Sequence, residues 1–203
     1  MRFARHYAVP MPEDYQEIGR EGAATLKRWL EATTYMELPF DAYNNKIDCT
    51  VMTVGDKRKQ FDLVGHMLVG KKAPVIVECK RYTTPGGQYK EFKKFLAIAY
   101  GHTAKELETF NTTRESQYLW VTFHPFNLEN WSRFETYEHL KEAVDEHPGY
   151  KGGADVPLNE SLAHDVASRV TVLVFNPKQE ALSLTREELE TIRPHLVRKV
   201  KTL

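Results

Sequence analysis

Residues 74–82 read PVIVECKRY, from Pro74 to Tyr82. Val75, Ile76 and Val77 form an apolar run that reads as a buried strand, and Cys79 continues it. Glu78 and Lys80 interrupt the run. Side chains along a strand alternate between its faces, so Glu78 and Lys80 project together while Val77, Cys79 and Arg81 face the other way. A buried strand therefore ends by presenting a carboxylate and an ammonium on one face, where apolar residues would be expected.

The preceding strand supplies a second acid. QFDLVGHMLV, residues 60–69, reads as a strand, with Asp62 the one acid inside it. The link through GKKAP is short enough for a hairpin, which sets Asp62 beside Glu78 on neighbouring strands. Two carboxylates and a lysine then converge. Hard cations such as Mg2+ or Mn2+ take oxygen ligands from one or two carboxylates and leave the remaining positions to water and phosphate. Lysine is no ligand, but it can hold a water or neutralise charge on a phosphate. His66, four residues after Asp62, shares its face and is a further candidate for approaching a phosphate.

Outward from this pair, Tyr15–Thr33 has an amphipathic helical pattern. Lys46–Val54 reads as a first strand, before the strands at 60–69 and 74–82. QYKEFKKFLAIAYGHTAKELETF is a long helix with an expected end near Gly101. Tyr118–Phe126 is a strand whose aromatics fill the core. WSRFETYEHLKEAVDEH is an acidic helix stopped by Pro148-Gly149, and Trp131 reads as core. GYKGGAD reads as a flexible loop, because it lacks the ending of a phosphate-binding loop. Arg169–Pro177 is a last strand. Thr185 with Glu188 forms a capping box for a C-terminal helix that Pro194 kinks. The expected fold class is α/β: three strands in an antiparallel meander, then a helix that lets the next strand cross over, giving a mixed sheet flanked by helices.

The 203 residues suit a single domain, with 15–126 as a core and 127–203 as a C-terminal extension of it. No run approaches eighteen apolar residues, which argues against a membrane span. The opening MRFARHYAVPMPEDY has no apolar segment of a secretory signal. Cys49 and Cys79 make no disulfide framework, so a cytoplasmic location is expected. Formal net charge is zero, yet it is unevenly spread. Lys57–Lys94 holds ten bases against three acids, and Lys105–Asp165 holds five bases against twelve acids. An anion-binding region opposed by an acidic region that docks a partner is one reading, and two solvated faces the other.

Asp62, then Glu78-Cys79-Lys80 sixteen positions on, with a helix before them and a helix and strand after them, resemble the PD-(D/E)XK nuclease superfamily. VIVECKRY is similar to Holliday-junction resolvases and Mrr-type restriction endonucleases. Phe61 stands where the motif has proline. The resemblance covers Tyr15–Phe126 and implies a restriction-endonuclease-like core of helix, three strands, helix and strand, with C-terminal helical additions. It makes Asp62, Glu78 and Lys80 catalytic. Asp62, Glu78, the backbone carbonyl of Cys79 and an acid of the first helix, Glu21 in preference to Glu17, become ligands of Mg2+ or Mn2+. Gln88 matches the Q-x-x-x-Y element of RecB-like nucleases. Gln88, Arg81, Lys90, Lys93 and Lys94 are the expected nucleic-acid contacts. The function so implied is a metal-dependent nuclease acting on phosphodiester bonds, DNA foremost, as an effector subunit of a defence or repair assembly, with a protein partner or a homodimer. The alternative is a catalytically degenerate module that binds nucleic acid or a protein partner.

Overall fold

The computed structural model describes residues 12–82, 84, 86–192 and 194. Its elements run α1 (Pro12–Thr33), β1 (Met36–Asp41), β2 (Thr50–Met52), β3 (Arg58–Gln60), β4 (Leu63–Met67), β5 (Pro74–Lys80), α2 (Gln88–Phe110), β6 (Gln117–Thr122), α3 (Tyr137–Glu146), α4 (Glu160–Ala167), β7 (Val170–Val174) and α5 (Arg186–Ile192). Five strands form one sheet in the order β1-β4-β5-β6-β7, and β2 with β3 forms a separate ribbon. The β1–β4 and β4–β5 pairs are antiparallel, and the β5–β6 and β6–β7 pairs parallel. The fold is therefore α/β with a mixed sheet. A restriction-endonuclease-like label goes further than this arrangement establishes.

The sheet separates two cores. Val75, Val77, Leu119, Val121, Leu63 and Met67 pack under Ala23, Leu26 and Leu30 of α1. Ile76, Tyr118, Trp120 and Val170 face Phe92, Phe95 and Leu96 of α2, and beyond them Leu140 of α3 and Val166 of α4. Strand alternation does this sorting, since odd and even positions of β5 and β6 go to opposite sides. Phe92 and Phe95 meet the Trp120 ring edge-on, with centroids 5.5 and 5.4 Å apart. Helix α2 runs on through Gly101. A Cβ there would lie 2.3 Å from the Tyr150 carbonyl oxygen, so the glycine admits a neighbouring backbone rather than ending the helix.

Several expectations are corrected. The first strand of the meander is β1, not residues 46–54, because turns occupy 46–49 and only Thr50–Met52 is extended, in the β2–β3 ribbon. Segment 60–69 is likewise broken between β3 and β4. Strand β1 escaped detection because Pro39 and Asp41 are poor strand residues, and Pro39 sits at the register shift of an edge strand. Helix α4 was also missed. It is two turns long and starts at Asn159, whose side chain accepts from Leu162 N–H at 3.1 Å. The glycine-rich loop after Tyr150 is organised, since the Lys151 ammonium donates to the carbonyls of Ala154 and Val156. The Thr185–Glu188 capping box is present, with both reciprocal hydrogen bonds made. The kink expected at Pro194 and the opening residues 1–11 lie outside the described residues. At the sheet edge, the Val172 N–H of β7 donates to Glu135 Oε1 at 2.7 Å.

Candidate phosphate-binding site

Strand β5 places Glu78 and Lys80 where the sheet ends. Leu63 pairs with Val77, which puts Asp62 opposite Glu78. The Asp62 N–H donates to the Val77 carbonyl at 3.1 Å, and the Cys79 N–H donates to Asp62 Oδ2 at 2.7 Å. The acid thus closes the strand end by folding onto the backbone of β5.

Glu78 is 4% exposed. Lys80 Nζ lies 2.8 Å from its Oε1. Lys59, from β3, places Nζ 3.0 Å from Oε1 and 2.9 Å from Oε2. Only the approach to Oε1 has hydrogen-bond geometry, so Oε2 is buried with an ion-pair contact but no hydrogen bond. The Lys80 ammonium stands 5.5 Å over the Trp120 ring and that of Lys59 5.3 Å over Phe61, so aromatic faces support both cations.

Burial, and then the nearby Glu78 carboxylate, push the Asp62 carboxyl up to about 6, against the pull of the Cys79 N–H and the two lysines. Burial alone would lower the pKa of Lys80, but the attraction of Glu78 outweighs it and the net shift is upward. Lys80 therefore stays charged at neutral pH. Two ammonium groups share one buried carboxylate, beside an acid that titrates near neutrality. That arrangement offers positive charge to an incoming anion.

Gln88 is buried and is spent on architecture. Its Oε1 accepts from Thr122 Oγ1 at 2.5 Å, and its Nε2 donates to the carbonyls of Thr84 and His124. Thr122 is the partner of Lys80 in the β5–β6 register. Gln88 thus fixes the start of α2 beside the site. Lys90 is exposed and Lys94 half-buried. Lys93 lies 2.5 Å from Glu146 and 4.9 Å from the Tyr89 ring, so it ties α2 to the acidic helix α3. Lys71–Glu115 is a second tie between the basic and acidic regions.

Arg81 faces α1, and its Nη1 donates to the Ile18 carbonyl and to Glu21. No hydrogen bond or ion pair joins Glu21 to Asp62 or Glu78 among the described residues. Glu17 pairs with Arg20. His66 pairs with Glu37 at 3.5 Å, about 13 Å along β4 from Asp62 at the usual strand rise. Lys59 was not singled out from sequence. The signal was its i, i+2 relation to Phe61, which gives both residues one face.

Among the described residues, no group of three or more His, Cys, Asp or Glu could hold a metal. Two carboxylates, with Glu78 Oε2 lacking a hydrogen bond, do fit a Mg2+ or Mn2+ that completes its shell with water and phosphate, though not an all-protein cage.

No family model matches the chain, and no curated protein does. Among solved structures it is similar to the Cap4 SAVED/CARF-domain containing receptor of Moraxella osloensis, at 14% identity and a TM-score of 0.36, over 90% of this chain and 38% of that one. The Acinetobacter baumannii Cap4 SAVED/CARF-domain containing receptor with the cyclic trinucleotide 2'3'3'-cAAA matches at 14% identity and a TM-score of 0.37, over 94% of this chain and 38% of that one. The chain thus spans less than two fifths of the length of these structures. Scores of this size establish neither a shared fold nor a shared activity.

The family expectation is corrected on these findings. No family model places the chain in the PD-(D/E)XK superfamily, and the chain is not assigned to it. The expected Mg-dependent nuclease activity goes with that assignment. In the site, lysines contact Glu78, and the first-helix acid Glu21 turns to Arg81.

Proposed function

We propose that the chain binds nucleic acid without turning it over, by its phosphodiester backbone, DNA foremost, at the Lys59–Glu78–Lys80 cluster. The carrying observation is that two ammonium groups, held 2.8–3.0 Å from one buried carboxylate, exceed what that carboxylate needs. A backbone phosphate can share those cations at little ordering cost, because both are already fixed. In the same proposal, Asp62 and Glu78 hold a Mg2+ or Mn2+ that links them to the phosphate, and Lys90 and Lys94 add contacts that carry no sequence information. A cytoplasmic location belongs to the same reading.

The experiment is fluorescence anisotropy with single-stranded DNA, duplex DNA, RNA and a cyclic trinucleotide, each with Mg2+ or EDTA. Wild type should bind in the 10⁻⁴–10⁻⁶ M range at physiological salt, with affinity falling as salt rises. Lys59→Gln and Lys80→Gln should each weaken binding by about tenfold, roughly the worth of one charged hydrogen bond. Glu78→Gln should tighten binding in EDTA, by releasing both lysines, and abolish any gain from Mg2+. Binding unchanged in both lysine variants overturns the proposal, and so does metal-dependent cleavage of any substrate.

A further inference from the structure

A second cluster of cations lies across the sheet from Glu78. Arg20, Glu21, Ala24, Thr25 and Arg28 of α1, with Arg81 from the end of β5, line a cleft of about 250 Å3. Three of these residues are arginines. An acid nearby pairs with each of them. Glu17 takes Nε and Nη2 of Arg20, and Glu180 takes Nε of Arg28, whose Nη2 reaches Thr25. Arg81 uses Nη1 alone, on Ile18 and Glu21. A guanidinium has five N–H donors, so each of the three keeps donors without a described partner.

The helix is shaped to admit Arg81. Gly22 sits within α1, where glycine costs about 1 kcal/mol relative to alanine. A Cβ at that position would lie 3.0 Å from Cδ and 3.3 Å from Cβ of Arg81. The glycine lets the aliphatic stem lie flat on the helix, and the guanidinium then stands 5.9 Å over the Phe123 ring. Small residues at 22 and 24 leave the floor of the cleft open between Arg20 and Arg28, which stand two turns apart.

We infer that this cleft binds a phosphate group, through Arg20, Arg28 and Arg81. Guanidinium forks match phosphate oxygens bidentately, and forks already oriented by carboxylates lose little freedom on binding. The site is independent of the Lys59–Glu78–Lys80 cluster, since α1 packs on the other face of the sheet and Arg81 bonds to α1. Its phosphate comes either from a small free ligand or from a nucleic-acid backbone.

The test is calorimetric titration of the whole chain with inorganic pyrophosphate in EDTA. Wild type should bind pyrophosphate. The Arg20→Gln/Arg28→Gln double variant should lose at least tenfold in affinity, while Lys141→Gln, at an exposed lysine of α3 outside both sites, retains wild-type affinity. The double variant should keep its circular dichroism spectrum, because both arginines are largely exposed. Displacement of pyrophosphate by an oligonucleotide would identify a backbone phosphate as the ligand, and its failure a small one. No binding by wild type at millimolar pyrophosphate overturns the inference. So does unchanged binding in the double variant, or an equal loss in Lys141→Gln.

Discussion

Lys59 reaches from the β2–β3 ribbon to bring its ammonium within 3.0 Å of both oxygens of Glu78. The ribbon is not part of the main sheet, so this ion pair is a polar tie between two separately hydrogen-bonded units. The carboxylate end of the tie is almost wholly buried, and the lysine end is about one third exposed.

That asymmetry sets the first prediction. Removing a buried charge's partner costs more than removing a solvated charge. Glu78→Ala leaves Lys80 and Lys59 side by side without their counter-ion and should cost about 3 kcal/mol. Lys59→Ala leaves Glu78 its bond from Lys80 and should cost about 1 kcal/mol. Urea denaturation of both single variants and of the double gives a coupling energy. A coupling near zero would mean the tie contributes nothing to folding.

Asp62 makes stability depend on pH in a stated direction. Its carboxyl titrates near 6 when folded, against 3.8 as the ordinary value. The folded state therefore holds this proton more tightly than the unfolded state. The contribution is fully present below pH 3.8 and is lost as pH rises through 6. Asp62→Asn lacks that loss, so wild type should weaken relative to the variant between pH 4 and 7, by about 1–3 kcal/mol. Denaturation midpoints of the two proteins across that range decide it, and parallel curves would refute the assignment.

His102 should act with the opposite sign. Its ring is buried in α2, with Nδ1 2.7 Å from the Tyr118 hydroxyl and Nε2 3.8 Å from Glu106. Burial lowers its pKa from 6.5 to about 4, a shift that Arg114 and Arg169 assist and Glu106 opposes. Its contribution is present above pH 6.5 and is lost as pH falls towards 4. A His102→Gln variant should flatten that acid limb by about 2–3 kcal/mol, read from urea midpoints at pH 4.5 and 7.5.

Two helical glycines should respond differently to alanine. Alanine gains about 1 kcal/mol of helix propensity at either position. At Gly101 the added methyl meets the Tyr150 carbonyl at 2.3 Å, and backbone must move. At Gly22 it meets the stem of Arg81 at 3.0 Å, and a flexible side chain can give way. Gly101→Ala should lower the melting temperature by several degrees, while Gly22→Ala should leave it within a degree or two or raise it. Equal losses would show that the Arg81 stem cannot shift.

How much was legible from sequence depended on the length of each pattern. Segment 74–80 was read correctly because three β-branched residues precede Glu78, and α2 because its periodicity lasts six turns. Its continuity through Gly101 was not legible, because the backbone that glycine admits comes from Tyr150, 49 residues away. The approach of Asp62 to Glu78 followed from the hairpin register. Lys59 did not, because its ribbon pairs outside the main sheet. The pairing of Arg81 with Glu21 depends on how α1 packs, which no local pattern records.

The contact between Glu135 and Val172 bears on the company this chain keeps. Strand β7 is the last in its sheet, and such a strand offers its outward amides to any extended chain that drifts alongside. Here one of those amides is already taken, by a carboxylate that an intruding strand would have to displace and bury. Neutralising that guard, as in Glu135→Ala, opens the border of the sheet, and the first sign should be protein lost to self-association on concentration rather than a lower melting temperature.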